Sequence, residues 1–329
     1  MAAYTTIDDP SAFFQCTLYT GNNGTQTITH GGNSDLQADM IWGKARNDTA
    51  AHFLIDSVRG VSKRFKVNNG DAEATVSTGI TAIGSDSFAL GNDGDFNDSS
   101  VNYTSWNWKK QAGVFDIQIY TGNGSNRTIS HNLGTVPKMM IIKKRNTSAP
   151  WSVGHASLGA NQVLELDAQD AVATDASYWN NTRPTSSVFS LGTDGNQNTN
   201  THTYVIYLFG EKQGMSKMGN YEGNGNADGE FIYLGFKPAW LIVKPMDASD
   251  NWVMFDNKRF GFNTSTSPFS LHPNQSFVET TDTKELDFLS NGFKIRNSGN
   301  TINRTSTFIY MAFAESPFVT STGVPTTAE

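Results

Sequence analysis

One short string returns three times along the chain at an even interval. Tyr19, Tyr120 and Tyr221 stand 101 residues apart, and each opens a near-copy of the others: YTGNNG (19–24), YTGNG (120–124) and YEGNG (221–225). A period of this length signals one structural unit used repeatedly, and it constrains the fold before any single motif does. Other landmarks keep step. His30 matches His131, Pro137 matches Pro238, and the runs MIWGK, MMIIK and WLIVK end on Lys44, Lys143 and Lys244. Trp151 and Trp252 share a slot that holds His52 in the first copy. Phe88 and Leu90, Phe189 and Leu191, and Phe293 and Ile295 mark a later strand and are expected in the core. A glycine turn follows (Gly94, Gly195, Gly299), then Asn97, Asn198 and Asn303. Each copy closes on an aromatic strand: YTSWNWK, YVIYLFGE or FIYMAFAE. These landmarks predict repeats over 1–113, 114–214 and 215–319, with a polar tail over 320–329.

The local pattern is that of strands. The runs 139–142, 205–209 and 241–243 are short, β-branched or aromatic, and flanked by Gly, Asn or Pro. Helical periodicity is missing except over 160–173 (ANQVLELDAQDAVA), which is expected to form a short helix. The reading is an all-β chain: three tandem two-layer antiparallel β-sandwiches, lectin- or jelly-roll-like. The linkers are too short for the units to hang apart.

Charge and composition narrow the partners. A net charge of −7 and a pI near 5.4, with no Lys/Arg cluster, argue against nucleic acid. No apolar run reaches membrane-spanning length, so no membrane is expected. The opening MAAYTTIDDPSAFF has no basic segment of the secretory kind. Cys16 is the single cysteine, so no intrachain disulfide forms, and it reads as a small buried hydrophobe.

Comparing the copies weighs each candidate site. The YxGN strings are glycine-rich, but no helix or Lys follows as a phosphate loop requires; they read as tight turns. DGDFND (93–98) becomes DGNQN and SGNTIN in the other copies, losing its acids, and reads as a hairpin turn. Asp93 and Asp95 are the first residues to suspect should a metal bind there. Asp56, His155 and Asp256 occupy one position, and Arg59 and Arg259 follow the two acids, as an ion pair closing a loop would require. His30 and His131 give way to Ile232, a structural slot. Trp106 and Trp108 share one strand face and have apolar counterparts, so they read as core. No HExxH, GxSxG or CxxC spacing occurs. Neither a catalytic residue, a metal nor a cofactor is expected. Trp179 (SYWNNT) is least explained by the repeat; exposed, it would offer a surface for stacking on a glycan.

The YTGNG openings, FLIDSVRG (53–60), NTRPTSSVFSLG (181–192), LSNGFKIR (289–296) and the ending MAFAESPFVTSTGVPTTA resemble a family of virion proteins of marine bacteriophages. Its members carry a repeated domain of unknown function, and the resemblance spans nearly the whole chain. It implies a particle component, made in the host cytoplasm and located in the virion, with other virion proteins as partners and a homo-oligomeric state. It supplies no catalytic residues. The chain starts on the first copy without a fibre shaft, so a tail-attached tip or adaptor, or a capsid decoration protein, is expected. The alternative is a carbohydrate-binding module recognising host surface glycans. A glycan-cleaving enzyme would need paired carboxylates in one cleft, and the sequence nominates no such pair.

Overall fold

The computed structural model describes residues 4–259, 263, 270–280 and 285–326. The chain is nearly all-β, in antiparallel sheets. In the first third, one sheet runs Phe14–Thr20, Asn102–Trp108, Met40–Ala45, Phe53–Asp56, Lys63–Lys66 and Ala74–Thr75 in spatial order. The middle third gives Phe115–Thr121, Thr203–Phe209, Met139–Lys144, Ser152–His155, Gln162–Glu165 and Ala173–Thr174. In the last third the order is Ser216–Glu222, Thr307–Pro317, Phe236–Pro245 and Val253–Asp256. The first strand of each sheet pairs with the closing aromatic strand. Tyr19 lies opposite Tyr103, Tyr120 opposite Tyr204, and Tyr221 opposite Phe308.

A smaller sheet lies over each large one. Gln26–Thr29, Ser87–Leu90 and Ile80–Ile83 form the first, and Phe231–Tyr233, Gly292–Ile295 and Leu286–Leu289 the last. The middle one has two strands, Arg127–Ser130 and Val188–Leu191. Phe88, Leu90, Phe189, Leu191, Phe293 and Ile295 are buried between the layers, as expected.

The opposite faces of the large sheets meet in one shared core. Trp42, Trp106 and Trp108 come from the first third, Ile141, Tyr207 and Phe209 from the middle, and Trp240, Met254 and Phe313 from the last. At its centre Trp108, Phe209 and Phe313 form a triangle with ring centroids 5.7, 6.1 and 6.3 Å apart, each pair edge-on. Edge-on packing sets the positive rim of one ring against the negative face of the next. Because both faces of the large sheets are covered, Met40–Ala45 and Met139–Lys144 are buried at every position. That double burial explains why these strands read as continuous apolar runs instead of alternating.

The recurring strings have a common structural cause. Each motif tyrosine donates its hydroxyl hydrogen to a backbone carbonyl: Tyr19 to Phe96, Tyr120 to Gln197 and Tyr221 to Ile302, at 2.7–2.8 Å. Those carbonyls belong to one-turn helices, α1 (Gly94–Asn97), α3 (Gly195–Asn198) and α4 (Asn300–Asn303), with α2 at Ala176–Trp179. The last residue of α1, α3 and α4 is a buried asparagine that clamps the YxGN turn. Asn97 Nδ2 donates to the carbonyls of Gly24 and Gly91, and its Oδ1 accepts from the Asn22 N–H. Asn198 and Asn303 repeat the arrangement with Ser125 and Gly192, and with Asn226 and Asn297. The adjacent glycine has no alternative. A Cβ at Gly21, Gly122 or Gly223 would lie 2.0–2.2 Å from the carbonyl oxygen of Asp98, Thr199 or Arg304.

Two expectations are corrected. Residues 160–173 hold the strand Gln162–Glu165, which pairs with Ser152–His155 and buries Val163 and Leu164, and Leu166 is buried just after it. Sheet pairing there overrides a helical pattern too short to sustain itself. The DGDFND segment is a helical turn, not a hairpin turn, because the Asp93 carboxylate accepts the Asp95 N–H at 3.0 Å and caps α1.

Candidate functional site

Buried polar groups cluster where the thirds meet. Asp56 ends a strand, and its Oδ2 accepts from Arg59 Nε at 2.5 Å and from the Tyr207 hydroxyl of the middle third at 2.7 Å. Asp256 takes the same place in the last third, holding Arg259 Nε at 2.6 Å and accepting from Trp106 Nε1 of the first third at 2.9 Å. The expected Asp–Arg pairs therefore close their loops and also reach across to a neighbour. His155 makes the third such bridge: its Nε2 donates to the Tyr310 carbonyl of the last third at 3.1 Å, while Nδ1 accepts from the Ser157 N–H. Burial pushes the His155 pKa down to about 4, so the ring is neutral.

Outlying segments repeat these crossings. The N–H groups of Glu73, Val172 and Glu279 donate, each at 2.8 Å, to the carbonyls of Arg145, Met246 and Arg46. The first third thus reaches the middle, the middle the last, and the last the first. Glu73 also receives Arg59 at 3.1 Å and Arg145 at 2.9 Å, and Glu279 receives Arg46 at 2.8 Å. Lys44, Lys143 and Lys244 are fully buried, and burial lowers each to about 8. Lys44 and Lys244 Nζ each donate to two backbone carbonyls, and Lys143 Nζ donates to the Ala149 carbonyl.

Of these groups only His155 borders the cleft that opens in the middle third. The carboxyl of Glu285 is raised to about 7 by its own burial and then by the charge of Asp250. Among the described residues no group of His, Cys, Asp or Glu is arranged to hold a metal ion. Asp93 caps α1 and Asp95 pairs with Arg64, so both have structural partners. Cys16 is buried, and burial raises its thiol pKa well above the ordinary value.

The middle third departs from its neighbours at Gly154, and there a cleft of about 280 Å³ opens. Gly154 lies opposite Met140 in the sheet, where Ile55 lies opposite Ile41 and Phe255 opposite Leu241. The missing side chain leaves space that Trp179 enters: a Cβ on Gly154 would sit 2.9 Å from Trp179 Cζ2. Trp179 is 3 % exposed and donates from Nε1 to the Gln162 carbonyl at 3.0 Å. The exposed stacking face that a glycan contact through Trp179 would require is therefore absent: the indole replaces the core side chain that Gly154 lacks. Asn180 and Asn181, at φ of 52° and 47°, together with Pro184, keep the following segment from forming the third strand present in the other small sheets.

Apolar walls line this cleft at Val136, Pro137, Met140, Trp179 and Pro184, with Lys138, His155, Gln162, Thr182 and Arg183 as its polar residues. No acid lines it. Arg183 donates to the carbonyls of His155, Ala156 and Leu158. Lys138 and Arg183 form no ion pair among the described residues. Sequence reasoning named Trp179 but missed Lys138, Gly154 and Arg183. The signal was present: SVGH carries glycine where FLID and VMFD carry Ile55 and Phe255.

A family described as a domain of unknown function, DUF7483, matches residues 9–317. The chain belongs to this family. No curated protein matches it significantly. The DUF7483 match takes in all three large sheets and the cleft of the middle third.

Proposed function

We propose that this DUF7483 chain is a non-enzymatic structural component of a phage particle, mounted on the tail as a tip or adaptor or on the capsid as a decoration protein. In this reading three copies of one sandwich unit, over 1–113, 114–214 and 215–319, close on one another as a trimer would within a single chain. The observation that carries it is the cycle of crossings, Glu73 to Arg145, Val172 to Met246 and Glu279 to Arg46, around a common aromatic core. Asp56, His155 and Asp256 are engaged in contacts between the thirds, which supports a protein that acts through its surfaces. The sequence resemblance to virion proteins supplies the setting. Repeated weak contacts on a symmetric particle would give firm attachment.

Mass spectrometry of purified particles tests this. The chain is expected on the particle in fixed stoichiometry; recovery only as free protein in lysate defeats the proposal. Particles lacking it that assemble but no longer adsorb would identify a tail role, and fragile particles that still adsorb a decoration role.

A second reading, a module that recognises host surface glycans, draws support from the cleft beside Trp179. It lies where Gly154 and the segment after Trp179 leave the pattern of the other two thirds.

A further inference from the structure

We propose that the cleft of the middle third binds one acidic monosaccharide unit, a sugar ring bearing a carboxylate or a sulfate. The inference rests on the glycan reading of that third and is independent of any mounting on a particle.

Three features of the cleft select this chemistry. Its volume of about 280 Å³ suits a single ring and not an extended chain. Val136 and the prolines, with the buried Met140 and Trp179 beside them, supply an apolar lining that matches the C–H face of a sugar. Lys138 and Arg183 supply positive charge, and no Asp or Glu in the lining offsets it. That excess is conspicuous in a chain of net charge −7. An uncompensated cation beside an apolar wall favours an amphipathic anion, because charge-assisted hydrogen bonds are about twice as strong as neutral ones. Gln162 adds a neutral donor: its Oε1 already accepts from the Gly159 N–H at 2.6 Å, which leaves Nε2 for a ligand hydroxyl. Arg183 is fixed by the three carbonyls it already holds, so its position is set before a ligand arrives.

The same place in the flanking thirds is filled. Ile55 and Phe255 occupy the position of Gly154, and the strands Ile80–Ile83 and Leu286–Leu289 stand where the Asn180–Pro184 segment runs. The cleft is thus made by departures that cluster at one spot, with the charged side chains on its rim.

Isothermal titration of the full chain with galacturonate, galactose 6-sulfate, galactose and acetate tests the inference. Both acidic sugars are expected to bind at least about tenfold more tightly than galactose, the difference one charged hydrogen bond makes. Lys138→Gln is expected to remove most of that preference while the thermal melt stays unchanged. Arg183→Gln should also remove the preference, and the lysine variant keeps the test valid should the arginine variant unfold the loop. Equal binding of galactose and the acids would overturn the acidic-sugar inference and leave the glycan reading standing. Acetate binding as tightly as galacturonate would overturn it by showing a plain anion site. No binding of any sugar would overturn both.

Discussion

The two boundaries of the middle third solve one packing problem with opposite chemistry. Where it meets the first third, an ionised pair is buried: Asp56 holds Arg59 and is capped by the Tyr207 hydroxyl. Where it meets the last third, a neutral imidazole stands in the equivalent strand position and reaches the Tyr310 carbonyl. A carboxylate accepts only and brings a charge that must be matched, so Arg59 or Arg259 accompanies Asp56 or Asp256. A neutral histidine donates with one nitrogen and accepts with the other, so it needs no counter-ion. The position therefore demands a polar bridge to the neighbour, and not a particular charge. The swap to His155 also removes the need for an arginine three residues on, and Leu158 fills that place.

The comparison can be broken most forcefully at the charged boundaries. Asp56→Ala or Asp256→Ala removes the nearer counter-ion of a buried guanidinium, leaving Arg59 to Glu73 and Arg259 to Glu279, and is expected to cost roughly 3–5 kcal/mol in urea unfolding. His155→Ala leaves only neutral groups unpaired and should cost clearly less, about 1–3 kcal/mol. Equal losses at the three sites would mean that charge plays no part in the difference.

Next in size is the exchange of Gly154 for Trp179. Trp179→Ala should cost about 3 kcal/mol, because it empties the space beside Gly154. Adding Gly154→Ile to that variant is expected to recover part of the loss, since the middle third then matches the pattern of Ile55 and Phe255. If the double variant is less stable than Trp179→Ala alone, the indole is not the substitute for the missing side chain.

Acid sharpens the contrast further. The folded-state pKa of His155, about 4, lies below the ordinary value of 6.5. Between those values the unfolded chain binds more protons, so stability falls as pH drops through that window. His155→Gln keeps a donor and an acceptor but cannot titrate. It should flatten this limb by on the order of 3 kcal/mol, read from urea midpoints at pH 7 and pH 4. His30, also lowered to about 4 by burial, keeps some slope in the variant. An unchanged slope would show that His155 is not protonated on unfolding in this range.

The smallest effect should be uniform. Tyr19→Phe, Tyr120→Phe and Tyr221→Phe each delete one buried hydroxyl and leave one carbonyl without its donor, for about 1 kcal/mol apiece. A loss confined to one third would mean that the three clamps are not equivalent.

Strand content and core positions were legible because they depend on residue type along the chain. The motif glycines and the asparagines of α1, α3 and α4 could be singled out, since backbone crowding at Gly21 tolerates no side chain. The segment 160–173 misled because VLEL supplies adjacent buried positions whether it pairs as a strand or coils. The crossings between thirds left no local trace. Asp56 and Tyr207 are 151 residues apart, as remote in sequence as they are close in space. In the cleft Trp179 stood out, but its burial follows from Gly154 on another strand, which only the sheet register brings beside it.

The cyclic contacts also loosen the tie between chain order and architecture. Residues near the start lie against residues of the last third and of the segment after it: Asp8 accepts two hydrogen bonds from Ser321, and the Tyr4 hydroxyl donates to the Gly235 carbonyl. Each third holds its neighbours through side chains and sheet faces, while the covalent passages near Gly113 and Gly214 are short turns at positive φ. A polypeptide opened at either turn and spliced across the Asp8–Ser321 junction would meet the same neighbours in the same sense. In that respect the ring is indifferent to circular permutation: which third is synthesised first is a matter of genetic order, and not of the geometry that holds the molecule together.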